Sequence, residues 1–125
     1  MRKYLLHVLI ISFVFLLAPT AQVASYDAEK EIEDAKEEVR KNPDDAEAHL
    51  NLGAVYEIAG KSYKAIKAYK RAIRLDPDFA KAYFLLGASY YAVSDISSAL
   101  DQYRILKKLD TELANGLFNY IKDAL

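Results

Sequence analysis

Apolar residues recur along most of this chain at three- and four-residue intervals, the spacing of one face of an α-helix. Ala48, Leu52, Val55, Tyr56 and Ala59 predict one helix, opened by Asp44-Asp45-Ala46-Glu47 and closed by Gly60. An aspartate with a glutamate three residues on answers the free N–H groups of a helix start, and glycine suits the left-handed residue at its end. Ala65, Ile66, Tyr69, Ala72 and Ile73 predict a second helix over about 61–75, stopped by Asp76-Pro77-Asp78, which is also read as the cap of the next. The same pattern returns over 78–93 and 95–109, with Ser94 in the place of Gly60. Ahead of these helices, Ile32, Ala35 and Val39 form a thin apolar stripe in a charged run that ends at Asn42-Pro43, which predicts a leading helix within residues 26–43. Behind them, Leu113, Leu117, Phe118 and Ile121 predict an amphipathic capping helix within 112–125, weakened by Asn115-Gly116. The expected fold is all-α.

The two helix pairs are copies of one unit. An offset of 34 pairs Pro43 with Pro77, Ala48 with Ala82, Leu52 with Leu86, Gly53 with Gly87 and Tyr56 with Tyr90. It also pairs Ala65 with Ala99, Tyr69 with Tyr103, Leu75 with Leu109 and Asp76 with Asp110. The chain therefore divides into one repeat over 44–77 and a second over 78–111. Gly53 and Gly87 lack a Cβ, and Ala65 and Ala99 are small, so the helices of a pair can approach closely there. The rings of Tyr69 and Tyr103 are expected to fill the space toward the neighbouring repeat.

Residues 1–25 have a different character. Arg2 and Lys3 are followed by a 14-residue apolar run, Leu5 to Ala18, and then by small residues up to Ser25. Positive, apolar and small in that order is the plan of a secretory signal peptide. The best cleavage point follows Ser25, because Val23 and Ser25 supply the two small recognition residues. A retained anchor from Tyr4 to Ala24 is the alternative. Either reading puts the rest of the chain outside the cytoplasm, in the periplasm or beyond, and ties it to a membrane only through residues 1–25 if these stay uncleaved.

Composition narrows the chemistry. The 125 residues carry 17 basic and 18 acidic groups. Removal of residues 1–25 takes Arg2 and Lys3 away and leaves 15 basic against 18 acidic groups, so nucleic acid is not an expected partner. Cysteine is absent and there are two histidines, which leaves no thiolate nucleophile and little to build a transition-metal site from. His49 occupies a packing position within a helix. Gly60-Lys61-Ser62 imitates the end of a phosphate loop, but Val55 stands where that loop needs glycine. The carboxylates from Glu29 to Glu38 alternate with Lys30 and Lys36 at helical spacing, as on a solvated face. The chain is thus expected to be no enzyme and to use no cofactor.

Leu52-Gly53, Tyr56, Ala65, Tyr69, Ala72 and Pro77, repeated as Leu86-Gly87, Tyr90, Ala99 and Tyr103, resemble the tetratricopeptide repeat. Four positions depart from it: His49 and Tyr83 stand where the family often has tryptophan, Leu106 matches Ala72, and Thr111 stands where Pro77 closes the first repeat. The resemblance implies a helix-turn-helix solenoid of two full repeats, whose first helices line a concave surface, and a non-catalytic role in binding a protein or peptide. On that surface it places Leu50, Asn51 and Ala54 of the first repeat and Lys81, Phe84, Leu85, Ala88 and Tyr91 of the second. Glu47 and Glu57 or Ile58 flank them. Large apolar residues that a helix pair does not need for packing usually await a partner. The alternatives are that they pack under the terminal helix, or serve a homo-oligomer through this groove or the Leu113–Ile121 face. Asn51 and Lys81 also match two places of the carboxylate clamp of some relatives, with Leu85 where an arginine would complete it.

Overall fold

The computed structural model describes residues 25–125, and among these every regular element is helical. The expected export segment lies outside the described residues except for Ser25. Helix α1 covers residues 25–41. It is followed by α2 (Ala46–Ile58), α3 (Ser62–Leu75), α4 (Ala80–Ala92), α5 (Ile96–Leu109) and α6 (Thr111–Ile121), with a 3-10 turn at Lys122–Ala124. Helices α2 and α3 form one hairpin and α4 and α5 a second. α3 packs on α4, and α6 packs on both α5 and α4.

The distribution of side chains explains the layering. α3 is two-faced: Ala65, Ile66, Ala68, Tyr69 and Ala72 are buried, while Lys64, Lys67, Lys70 and Arg74 face water. α2 and α4 are apolar on most sides, as helices enclosed by neighbours must be. One cluster joins Ile32 of α1, Leu50 and Tyr56 of α2, Ile66 and Tyr69 of α3 and Leu86 of α4. The other joins Tyr83 of α4 and Leu106 of α5 to Ala114, Leu117 and Ile121 of α6. The leading and trailing helices thus close the two ends of a core that two repeats alone would leave open.

The close approaches fall at the glycines. A Cβ built on Gly53 would stand 2.5 Å from Cε1 of Tyr69. On Gly87 it would stand 2.5 Å from a methyl of Leu117 on α6, so in the second repeat the terminal helix, not a tyrosine of α5, fills the glycine notch. Tyr103 is half-buried instead, with its ring 5.4 Å from that of Phe118.

Helix starts differ from expectation in two respects: α2 is capped by Asp45, two residues before Glu47, rather than by Asp44 three before it, and α4 lacks the cap expected of its linker. Asp45, Asp95 and Asp110 each cap a helix, accepting from the backbone N–H of Glu47, Ser98 and Leu113. The α4 start has no side-chain cap: Asp78 does not cap it, and its own N–H donates to Asp76 Oδ1 at 3.1 Å, forming a turn within the linker. The hydroxyl and backbone N–H of Ser98 together hold the Asp95 carboxyl below the ordinary range.

The turns between paired helices need a left-handed residue. Gly60 supplies it at φ +71°, and Ser94 adopts it at φ +63°. A residue with a Cβ is strained by ~1–2 kcal/mol in that conformation, partly offset by the entropy glycine loses on folding. Ser94→Gly is therefore expected to stabilise the chain by ~0.5–1 kcal/mol, a rise of a few degrees in a thermal melt. An unchanged or lower midpoint would show that no strain is stored at Ser94.

Candidate partner-binding face

The face expected to receive a partner is built from α2 and α4, which repeat packing sets side by side with α6 beyond α4. Asn51 and Lys81 are exposed on it, and Ala54, Leu85 and Ala88 are half-buried. Ala54 and Ala88 are repeat-equivalent, so each helix places a small, half-buried side chain on this face, with the Asn51 amide on α2 and the Lys81 ammonium on α4.

Three expected anchors are placed differently. Leu50 is 1% exposed and belongs to the core cluster of Ile32, Ile66 and Leu86, with Leu85 packed against it. It holds the helices together and offers no contact to a partner. Phe84 and Tyr91 are only partly open because α6 lies over them. A Cβ on Gly116 would stand 3.4 Å from the Phe84 ring, and Tyr120 meets Tyr91 edge to face with centroids 5.1 Å apart. Packing under the terminal helix accounts for both rings.

Glu57 is also not a free surface charge. Its two carboxylate oxygens accept from Ser62 Oγ and Ser89 Oγ, each at 2.8 Å, and Ser89 is 1% exposed. One carboxylate thus ties the end of α2 to the start of α3 and the middle of α4. Burial, and then the nearby Glu57 charge, pushes the Tyr69 hydroxyl up to about 12. A lone serine on an apolar helix was the only sequence signal for this bridge.

His49 and Tyr83, the residues at the repeat position where tryptophan is common, do the same work by different chemistry. His49 Nε2–H donates to the Pro43 carbonyl at 2.8 Å, and Tyr83 O–H donates to the Pro77 carbonyl at 2.9 Å. Each ring fastens its helix to the proline linker that precedes it. No group of three His, Cys, Asp or Glu side chains placed to hold a metal occurs among the described residues, nor any helix long and apolar enough to cross a membrane.

Two hollows lie outside the expected face, and sequence reasoning missed both. One of about 390 Å³ is lined by His49, Leu52 and Tyr56 of α2 and by Lys64, Lys67, Ala68 and Arg71 of α3. The other, of about 380 Å³, lies at Pro77, Asp78, Arg104, Ile105, Lys108 and Leu109.

Comparison with known proteins bears on the whole arrangement. A tetratricopeptide repeat profile matches residues 35–67 and a TPR repeat profile matches residues 58–94. The fold is similar to the Arabidopsis OM64 TPR domain, with a TM-score of 0.72 and 17% identity over 85% of this chain and 89% of that one. It is also similar to the TPR2B domain of yeast Sti1, solved as a complex with pHsp70, with a TM-score of 0.65 and 25% identity over 84% of each chain. MamA gives a TM-score of 0.65 at 25% identity, covering 77% of this chain and 56% of MamA. No curated protein sequence matches the chain. With paired helices at a 34-residue offset, glycine notches filled by a ring and a methyl, and both profiles falling on that repeat, residues 35–94 of the chain are tetratricopeptide repeats.

Proposed function

We propose that this protein is an exported, non-catalytic adaptor that holds a segment of a partner protein across α2 and α4. The observation that carries this reading is the row Asn51, Ala54, Lys81, Leu85 and Ala88, which stays accessible after α6 has covered its neighbours. The row combines an amide able to bond backbone, two small alanines, one apolar side chain and one cation, a mixture suited to an extended or helical apolar segment. The Sti1 TPR2B domain, solved with pHsp70, supports the use of such a fold for holding a partner segment. The cell-envelope setting rests on residues 1–25 alone.

Ala54→Arg and Ala88→Arg each put a long charged side chain at a half-buried position of this face. Co-purification from envelope extract is expected to lose the partner with either variant, with far-ultraviolet circular dichroism unchanged. Asn51→Ala is expected to weaken capture by about tenfold if it bonds the partner backbone. Folded variants that keep every partner would move the binding surface elsewhere. Self-association is favoured by a separate observation: Phe118, Tyr120 and Leu125 are 38%, 53% and 65% exposed at the terminal helix end. A mass that doubles with concentration, and returns to monomer in Tyr120→Ser, would support that reading.

A further inference from the structure

The hollow between α2 and α3 has a two-part character. Its floor is Leu52 and Tyr56 of α2 with Ala68 of α3, and its edge is Lys64, Lys67 and Arg71. The three cations stand at i, i+3 and i+7, so one face of α3 carries them. Arg71 reaches the Asp44 carboxylate only at 3.7 Å. The Lys64 ammonium lies 5.7 Å from the Tyr56 ring centroid, and Lys67 makes no ion pair among the described residues. Helix α3 holds five Lys or Arg residues and no acid, so the field over the hollow is positive.

The second repeat is an internal control. Thirty-four residues on, Leu52 and Tyr56 become Leu86 and Tyr90 and Ala68 becomes Gln102, whereas Lys64, Lys67 and Arg71 become Ser98, Asp101 and Ile105. The second repeat thus keeps the leucine and tyrosine of the floor and none of the three cations. In the second repeat α3 packs against that floor: Leu86 is 3% exposed and Lys70 lies over the Tyr90 ring. In the first repeat the helix in the same register is α1. It has Ala35 and Val39 where α3 has Tyr69 and Ile73, and it leaves Leu52 half-covered.

We propose that this hollow is a second docking site, apart from the α2–α4 face, for an acidic segment of a partner protein. One apolar side chain of the segment rests on Leu52, Tyr56 and Ala68, and carboxylates on either side of it meet Lys64, Lys67 and Arg71. A long polyanion or an anionic membrane fits less well. The acidic helix α1 runs beside the hollow, with Glu29 bonded to Lys61 at 2.7 Å, and repels any extended negative surface. The α1 helix of a second copy offers Glu31, Asp34 and Glu38 at the matching spacing, but its Ile32, Ala35 and Val39 are turned inward and leave nothing apolar for the floor.

The test uses the full chain and fluorescein-labelled ten-residue peptides with a central Phe, Leu or Trp flanked by Asp and Glu, by Ser, or by Lys. Anisotropy is expected to show binding of the acidic set only. A central Ser in place of the apolar residue should weaken it about fivefold. The Lys64→Glu/Lys67→Glu double variant should lose at least about tenfold with helicity unchanged, while Arg104→Glu/Lys108→Glu, the same charge change on α5, stays within about twofold. Should the double variant unfold, Lys67→Gln replaces it and must lower both the affinity and its salt dependence. Equal binding of the Ser-flanked set, or equal loss in both double variants, overturns the proposal. So does capture by phosphatidylglycerol vesicles that the acidic peptide does not compete for, or a dimer that forms in its stead and is abolished by Lys64→Glu/Lys67→Glu.

Discussion

Gly53→Ala is expected to lower the thermal midpoint by about 10 °C, although alanine is the better helix former. Propensity alone favours the change by up to ~1 kcal/mol. Against it, the new Cβ would stand 2.5 Å from Cε1 and 2.7 Å from Cδ1 of Tyr69. That ring is 1% exposed and enclosed by the first core cluster, so it cannot swing outward. Overpacking of this kind costs ~1–3 kcal/mol and occasionally more, which leaves a net loss of ~2 kcal/mol. A double-mutant cycle identifies the cause. Combined with Tyr69→Leu, the alanine should cost much less than it does alone, because the two sites share one contact. Strict additivity would mean that the ring is not what the glycine accommodates.

Leu117→Ala should cost about as much or more, ~3 kcal/mol, by the opposite defect. Leu117 is fully buried in the second cluster and fills the notch above Gly87. α6 has only 11 residues, with Asn115-Gly116 at its centre, so it does not hold its helix without that docking. Hydrogen exchange should therefore accelerate first in 111–121, with α4 following as Phe84 and Tyr91 lose their cover. Binding of a hydrophobic dye should rise together with the exchange. Restoring the lost volume from the other side, by Gly87→Ala in the Leu117→Ala background, should recover part of the stability. If exchange in α6 rises no more than in α2, the terminal helix is not the weaker end.

The repeat was readable because its packing is local. Gly53 and Tyr69 belong to consecutive helices, so their contact is written within one repeat; the offset carries both residues to Gly87 and Tyr103, yet there Leu117 of α6 takes the notch. Gly60 and Ser94 could be read for the same reason, since a helix end is decided by its own few residues. The faces of α2 and α4 were harder. Leu50 and Asn51 are adjacent in sequence, yet one is buried and the other exposed, and the difference is made by the neighbouring repeat. Periodicity reports that a stripe is apolar without reporting which helix closes over it. Phe84 and Tyr91 were misplaced for a related reason. Repeat register would begin a third first helix near Ala114, but α6 begins at Thr111. A shift of three residues advances the helix by about 300°, which turns the presented face by about 60°, and Leu117 comes against Gly87. Glu57 could not be read at all, because its two serine partners lie 5 and 32 residues away and follow no repeat.

Asp110 both ends and begins a helix: its N–H donates to Leu106 of α5, and its side chain accepts from Leu113 of α6. Every other pair of successive helices is joined by three or four residues. This junction has a single residue and no slack, so α6 has no pivot about which to swing as a rigid flap. Phe84 and Tyr91 can be uncovered only by unwinding helix and breaking the bonds at Asp110. Access to those rings is thus coupled to the integrity of the second repeat, and a ligand that needs them must supply the energy of local melting. The α2–α4 row and the Lys64–Arg71 hollow make no such demand, so the partners proposed for them would need no melting of the fold.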